Sequence, residues 1–219
     1  MIDVPRPLRV GCYIVGIAVA AAHFSSSFRA IVNIDSTTGW LRGVRRVVSP
    51  NCDERPPDAE LGLIVVHGIS LPPGQFGNGW IERFFRNDLP TEADPYFATI
   101  SDIEVSAHML IGRDGALTQF VPFHKRAWHA GRSEYCGRTS CNDFSVGVEL
   151  EGTDEIPYAT AQYRALTSLI GALRRAYPSL QTAEVVGHND IAPGRKTDPG
   201  SAFDWTELTR LLATAPRVS

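Results

Sequence analysis

From Gly39 onward the chain alternates short apolar runs with polar stretches rich in glycine and proline. The run LIVVH (63–67) is continuous and β-branched, the pattern of a strand covered on both faces. LPPGQFGNG (71–79) reads as a long loop, and WIERFF (80–85) can open a short helix. SAHMLIGRDGALTQFVPF (106–123) holds two strand-like runs around Asp114-Gly115, a hairpin signal. FSVGVEL (144–150) is another strand. In residues 159–178, Tyr163, Leu166, Leu169, Ile170, Leu173 and Tyr177 recur at helical spacing until Pro178, which predicts a helix packed on a sheet. AEVVGH (183–188) predicts a last strand, and a terminal helix is expected from about Asp204 to Leu212. The pattern is α/β, one layer of sheet with helices against it.

The first 38 residues break this rhythm. Arg6 and Arg9 precede the apolar run Val10 to Ala22, too short to span a bilayer but of the size of a signal-peptide core. The division expected is therefore an N-terminal extension over 1–38 and one folded domain over 39–219. Two origins fit the extension. One is a secretory signal cleaved after Ala20 or Ala22, giving a periplasmic protein. The other is a start assigned too early, the true one being Val32, in a cytoplasmic protein. Cys52, Cys136 and Cys141 form an odd set that needs no oxidising compartment, which favours the cytoplasm. Net charge is −3 and no Lys/Arg cluster has interleaved aromatics, so nothing points to nucleic acid.

Against this frame a few polar residues stand out. His67 and His188 close strand-like runs, and Asp198 follows in the loop APGRKTDPG. Two imidazoles and a carboxylate are a ligand set for catalytic zinc that leaves a position for water. A strand-end histidine is also a common hydrogen-bonded structural residue, and Asp198 beside Pro199 also suits a plain turn. In VGVELEG, Val146, Val148 and Leu150 share one face and Gly147, Glu149 and Glu151 the other. A carboxylate at Glu149 is paired or functional if that strand is central, and merely wet if it is an edge. Lys196 lies two residues before Asp198, so an extended loop would bring its ammonium near the metal. His129 and Trp128 in RAWHAGRS, and His108 in SAHML, are expected to line the site, with packed histidines as the alternative.

Together these segments resemble a family. VVHGISLPPGQFG, SAHMLIGRDG, QFVPFHKRAWHAGRS, CNDFSVGVELEGTD and GHNDIAPGRKTDPG are similar, in the same order, to motifs of the AmpD-type 1,6-anhydro-N-acetylmuramyl-L-alanine amidases. These belong to the wider peptidoglycan-recognition and phage-lysozyme amidase superfamily. The resemblance runs from about Gly39 to Leu212. It implies a single mixed central sheet flanked by helices, with Zn2+ held by His67, His188 and Asp198. It further implies Glu149 as the catalytic glutamate and Lys196 as the active-site lysine. The substrate implied is the lactyl-amide joining muramic acid to L-alanine in a soluble muropeptide, and the state expected is a monomer. Departures are Gly68, where the family has Asn, and Glu104 and Ser140, where arginines that hold substrate carboxylates are expected. A zinc-free peptidoglycan-binding module is the rival reading, but Asp198, Glu149 and Lys196 are all present. A metalloprotease of the HExxH type is excluded by the absence of that motif.

Overall fold

A computed structural model of the chain describes residues 33–215. The apolar run at 10–22, and with it both readings of the N-terminus, lies outside the described residues. The fold reaches further back than Gly39. Ile34–Asp35 pairs with Trp40–Leu41, and Ile34 is buried in the main core.

Six strands form the central sheet: β1 (Arg45–Arg46), β2 (Leu63–Ile69), β3 (Met109–Ile111), β4 (Leu117–Gln119), β5 (Ser145–Glu151) and β6 (Glu184–Gly187). Their order is β6-β2-β5-β3-β4-β1. β6, β2, β5 and β3 run parallel, β4 turns back antiparallel to β3, and β1 joins β4 in parallel, so the sheet is mixed as expected. The hairpin falls where Asp114-Gly115 predicted it. Gly115 has φ +84°, a conformation glycine adopts at little cost, and the Asp114 carboxylate accepts from the Ala116 N–H.

Two apolar layers cover the parallel strands. Helix α1 (Thr160–Ala176) buries Tyr163, Leu166, Leu169, Ile170 and Leu173 against Ile64 and Val66 of β2 and Val146, Val148 and Leu150 of β5. The last helix, α2 (Trp205–Thr214), is capped by the Asp204 carboxylate on the Glu207 N–H and adds Leu208 to that layer. On the opposite face Leu63 and Val65 pack with Ala130, Cys141, Phe144 and Ile191. Each fully buried aliphatic side chain contributes about 1.5–3 kcal/mol. Because side chains alternate along a strand, His67 and Glu149 must share the face away from α1. β2 and β5 are in register with His67 directly beside Glu149. Among the described residues no helix is long and apolar enough to cross a membrane.

Candidate functional site

β6 stops at Gly187, one residue earlier than the sequence pattern suggests, and His188 opens a four-residue helix (His188–Ile191). That turn swings the His188 ring across the end of β2. The loop that follows is tied back where the Asn189 N–H donates to the Asp198 carbonyl at 3.0 Å. Three donors thereby converge at the C-terminal ends of parallel strands, where open α/β sheets build their sites. His67 Nδ1 and His188 Nδ1 are 3.0 Å apart, and Asp198 Oδ2 lies 3.2 Å from the first and 3.1 Å from the second.

The chemistry of this cluster suits a cation. His188 Nε2 faces the Ala130 carbonyl at 3.2 Å, and a carbonyl only accepts, so that nitrogen carries hydrogen. In the neutral tautomer that this contact selects, His188 Nδ1 is bare and turned toward a carboxylate oxygen. Burial favours the neutral form of His67, pushing it down to about 4. Two lone pairs and an anion about 3 Å apart need positive charge between them. Tetrahedral ligands at zinc distances would lie about 3.3 Å from one another, close to these spacings. Burial alone would raise the Asp198 carboxyl, but contacts with His188 and His67 outweigh it and hold it far below the usual carboxylate range.

Glu149 borders the cluster on a central strand, so the wet-edge alternative is removed. Burial, reinforced by the Asp198 charge, pushes its carboxyl well above the usual range, and Oε2 has no hydrogen-bond partner. It opens on a cleft of about 440 Å³ that also receives Lys196, His129, His188 and Asp198. The far wall of the cleft is apolar, with Leu71, Phe84, Phe85, Tyr96 and Ile100. The site thus offers a three-donor cation seat, a proton-poised carboxyl and an ammonium around one cavity.

Not every expected residue is there. His108 is fully buried: its Nδ1 accepts from the Gly147 N–H at 3.0 Å and its Nε2 faces the Lys125 carbonyl at 3.1 Å. With both ring nitrogens used inside the fold it cannot line the cleft. Trp128 also lies off the cleft, its indole turned to Asp53. His129 does reach the cavity, but its ring is committed to His67, 2.9 Å from Nε2 to Nδ1. Gly68 has a local reason, since a Cβ there would lie 2.2 Å from the Tyr158 hydroxyl, which donates to the Pro199 carbonyl at 3.0 Å. Tyr158, Asn142, Ser145 and the apolar wall were not legible in the sequence. Their contacts join different segments of the chain and carry no periodic pattern.

A mixed sheet that gathers a His-His-Asp cluster able to hold a metal ion and a half-buried glutamate at its strand ends has the architecture of a hydrolase site. The family model for N-acetylmuramoyl-L-alanine amidases matches residues 58–201, and the chain belongs to that family of enzymes. Its relatives are more specific still. It is 54% identical over 175 residues, 80% of this chain and 95% of the relative, to the 1,6-anhydro-N-acetylmuramyl-L-alanine amidase AmpD of Escherichia coli. A crystal structure of an AmpD derivative is 52% identical, covers 82% of this chain and 98% of its own, and superposes with a TM-score of 0.78. AmpDh3 from Pseudomonas aeruginosa, solved in complex with an anhydromuramic pentapeptide, is 26% identical over 75% of this chain and 65% of its own, TM-score 0.50.

Proposed function

We propose that this enzyme is a zinc amidase that cleaves the bond between anhydro-N-acetylmuramic acid and L-alanine in soluble wall fragments, for their recycling in the cytoplasm. The observation that carries the reading is the register of β2 and β5, which puts the unpartnered Glu149 carboxyl beside the metal-ligand candidate His67. The named substrate of the AmpD relatives and the peptide bound by AmpDh3 support the choice of substrate.

Zinc held by His67, His188 and Asp198 would lower the pKa of water from 15.7 to about 7 and polarise the amide carbonyl. Glu149 takes the proton from the attacking water and returns it to the leaving alanine nitrogen. Its raised pKa suits the first half of that exchange, since a strongly acidic carboxyl would be too weak a base to take the proton. Lys196 faces the same cleft and donates to the oxyanion as it develops. One such donor is worth about 10²–10³ in rate. The apolar wall shields the reaction from bulk water.

Purified protein should carry about one zinc per chain. Incubated with purified anhydro-muropeptide, it should release the anhydro sugar and free peptide by mass spectrometry, and a chelator should stop it reversibly. Asp198→Ala should empty the site, and retention of zinc and full activity by that variant would refute the ligand set. Fractionation of native cells with N-terminal sequencing tests the compartment: a terminus at residue 21 or 23 in a periplasmic fraction would overturn the cytoplasmic placement.

A further inference from the structure

The outer partners of the two imidazoles come from one short piece of chain. His67 Nε2 lies 2.9 Å from His129 Nδ1, and His129 Nε2 lies 3.2 Å from Ser145 Oγ. Ser145 Oγ in turn donates to the Cys141 carbonyl at 2.5 Å. That last contact fixes the direction of the whole chain of bonds, because a carbonyl only accepts. With its hydrogen on Cys141, Ser145 presents a lone pair to His129, so His129 carries hydrogen on Nε2. Its Nδ1 is then bare and accepts from His67 Nε2–H. His67 is left with its Nδ1 lone pair aimed at Asp198 and His188.

The neighbouring residue performs the same office for the other ring, since the Ala130 carbonyl accepts from His188 Nε2. The segment itself is fixed from behind. The N–H groups of His129 and Ala130 both donate to Asn142 Oδ1, at 3.1 and 2.8 Å. Gly147 on β5 leaves space for the imidazole, as a Cβ there would lie 2.4 Å from the His129 ring.

We propose that His129–Ala130 is one clamp that sets the ligating tautomer of both His67 and His188, with His129 the positioning residue for His67. This rests on the cluster being the zinc site of the proposed amidase. A ligand whose far nitrogen has a fixed acceptor keeps its near nitrogen unprotonated and its ring in place, and loss of such a partner typically weakens metal binding about 10–100-fold.

The test is zinc affinity, measured on metal-free protein by competition with a chromophoric chelator and without substrate. His129→Ala should bind zinc about 10–100-fold more weakly. His129→Asn brings an amide oxygen near the place of the lost Nδ1 and should recover most of that loss, which mere packing would not. Ser145→Ala should fall between. In parallel, ¹⁵N spectra of zinc-loaded wild-type protein should show His67 protonated on Nε2 and ligating through Nδ1, a measurement that stands even if a variant fails to fold. Wild-type affinity in a folded His129→Ala, or spectra with zinc on His67 Nε2, would overturn the clamp and leave the amidase reading intact. Wild-type protein that binds zinc yet leaves the muropeptide uncut would sink the amidase reading and leave the clamp standing.

Discussion

Glu149 and Glu151 are two residues apart on the same face of β5, yet their surroundings give them opposite characters. Glu149 is half-buried with its Oε2 buried and unpartnered, whereas Glu151 accepts from the Gly77 N–H at 2.7 Å and the Arg113 N–H at 3.3 Å. Glu149→Gln should bind zinc normally and lose several orders of magnitude in kcat, because the proton carrier is gone while the ligands stay. It should also stabilise the metal-free protein. A carboxyl whose folded pKa is raised favours the fold fully below the unfolded value of about 4.3 and loses that contribution as pH rises toward the folded value. Metal-free Glu149→Gln should therefore melt above wild type at pH 7–8, with the difference vanishing near pH 4. Equal melting at pH 8 would refute the burial argument. Glu151→Gln should leave kcat nearly unchanged and cost about 1 kcal/mol of stability, read from denaturant unfolding. Alternation of Val and Gly/Glu made the shared face readable in the sequence. That Glu151 is partnered while Glu149 is not was hidden, because it depends on Gly77 and Arg113 arriving from elsewhere.

Among elements, strands β2 to β6 and the two long helices follow the hydrophobic pattern, since periodicity is a local property, whereas the edge strand β1, Arg45–Arg46, carries no apolar pattern. What escaped it is how the connecting segments are fixed. Arg55 is the main instance: it is mostly buried and lies in no strand or helix. Its guanidinium donates to the carbonyls of Asn142, Asp143, Phe123 and Ser145, all at 2.9–3.2 Å. Burial pulls its pKa down to about 10, yet it remains charged at neutral pH. This one side chain holds the turn that delivers β5, and with it Glu149, into the sheet. Arg55→Met keeps the stem but leaves several carbonyls without donors. It should cost about 3 kcal/mol or more, and equilibrium unfolding by urea would measure it. A loss below about 1 kcal/mol would show that water replaces the guanidinium.

For the molecule as a whole, buried imidazoles set the response to acid. Burial pushes His67 down to about 4, His108 down to about 3 and His129 well below the usual histidine range. A histidine with a depressed folded pKa contributes stability above the unfolded value of about 6.5 and loses it as pH falls. Between about pH 6.5 and 4.5 the three act together against the single opposing glutamate, so metal-free protein should lose stability on acidification. Calorimetric melts at pH 7, 6 and 5 would show it, and flat melting temperatures would contradict the buried neutral rings. The cleft also has a charge balance of its own. Among its lining residues Lys196 is the sole lysine or arginine, against Glu149, Asp154 and Asp198. Arg113 is engaged with the Glu151 and Pro157 carbonyls, and Arg138 lies over the Phe144 ring. With Glu104 and Ser140 in place of cations, preference for a diaminopimelate peptide over a lysine peptide should stay below about tenfold in kcat/KM, or roughly 1.4 kcal/mol.

The contact between Glu151 and Gly77 has a consequence for motion. Gly77 is exposed in a glycine-rich loop whose neighbours Gly74 and Gly79 also adopt positive φ, so its amide would ordinarily trade hydrogen with solvent within seconds. Bound to a carboxylate at the end of a central strand, it can exchange only when the loop lets go of the sheet. The lifetime of that single amide in heavy water should therefore report how often this loop lifts from the strand end.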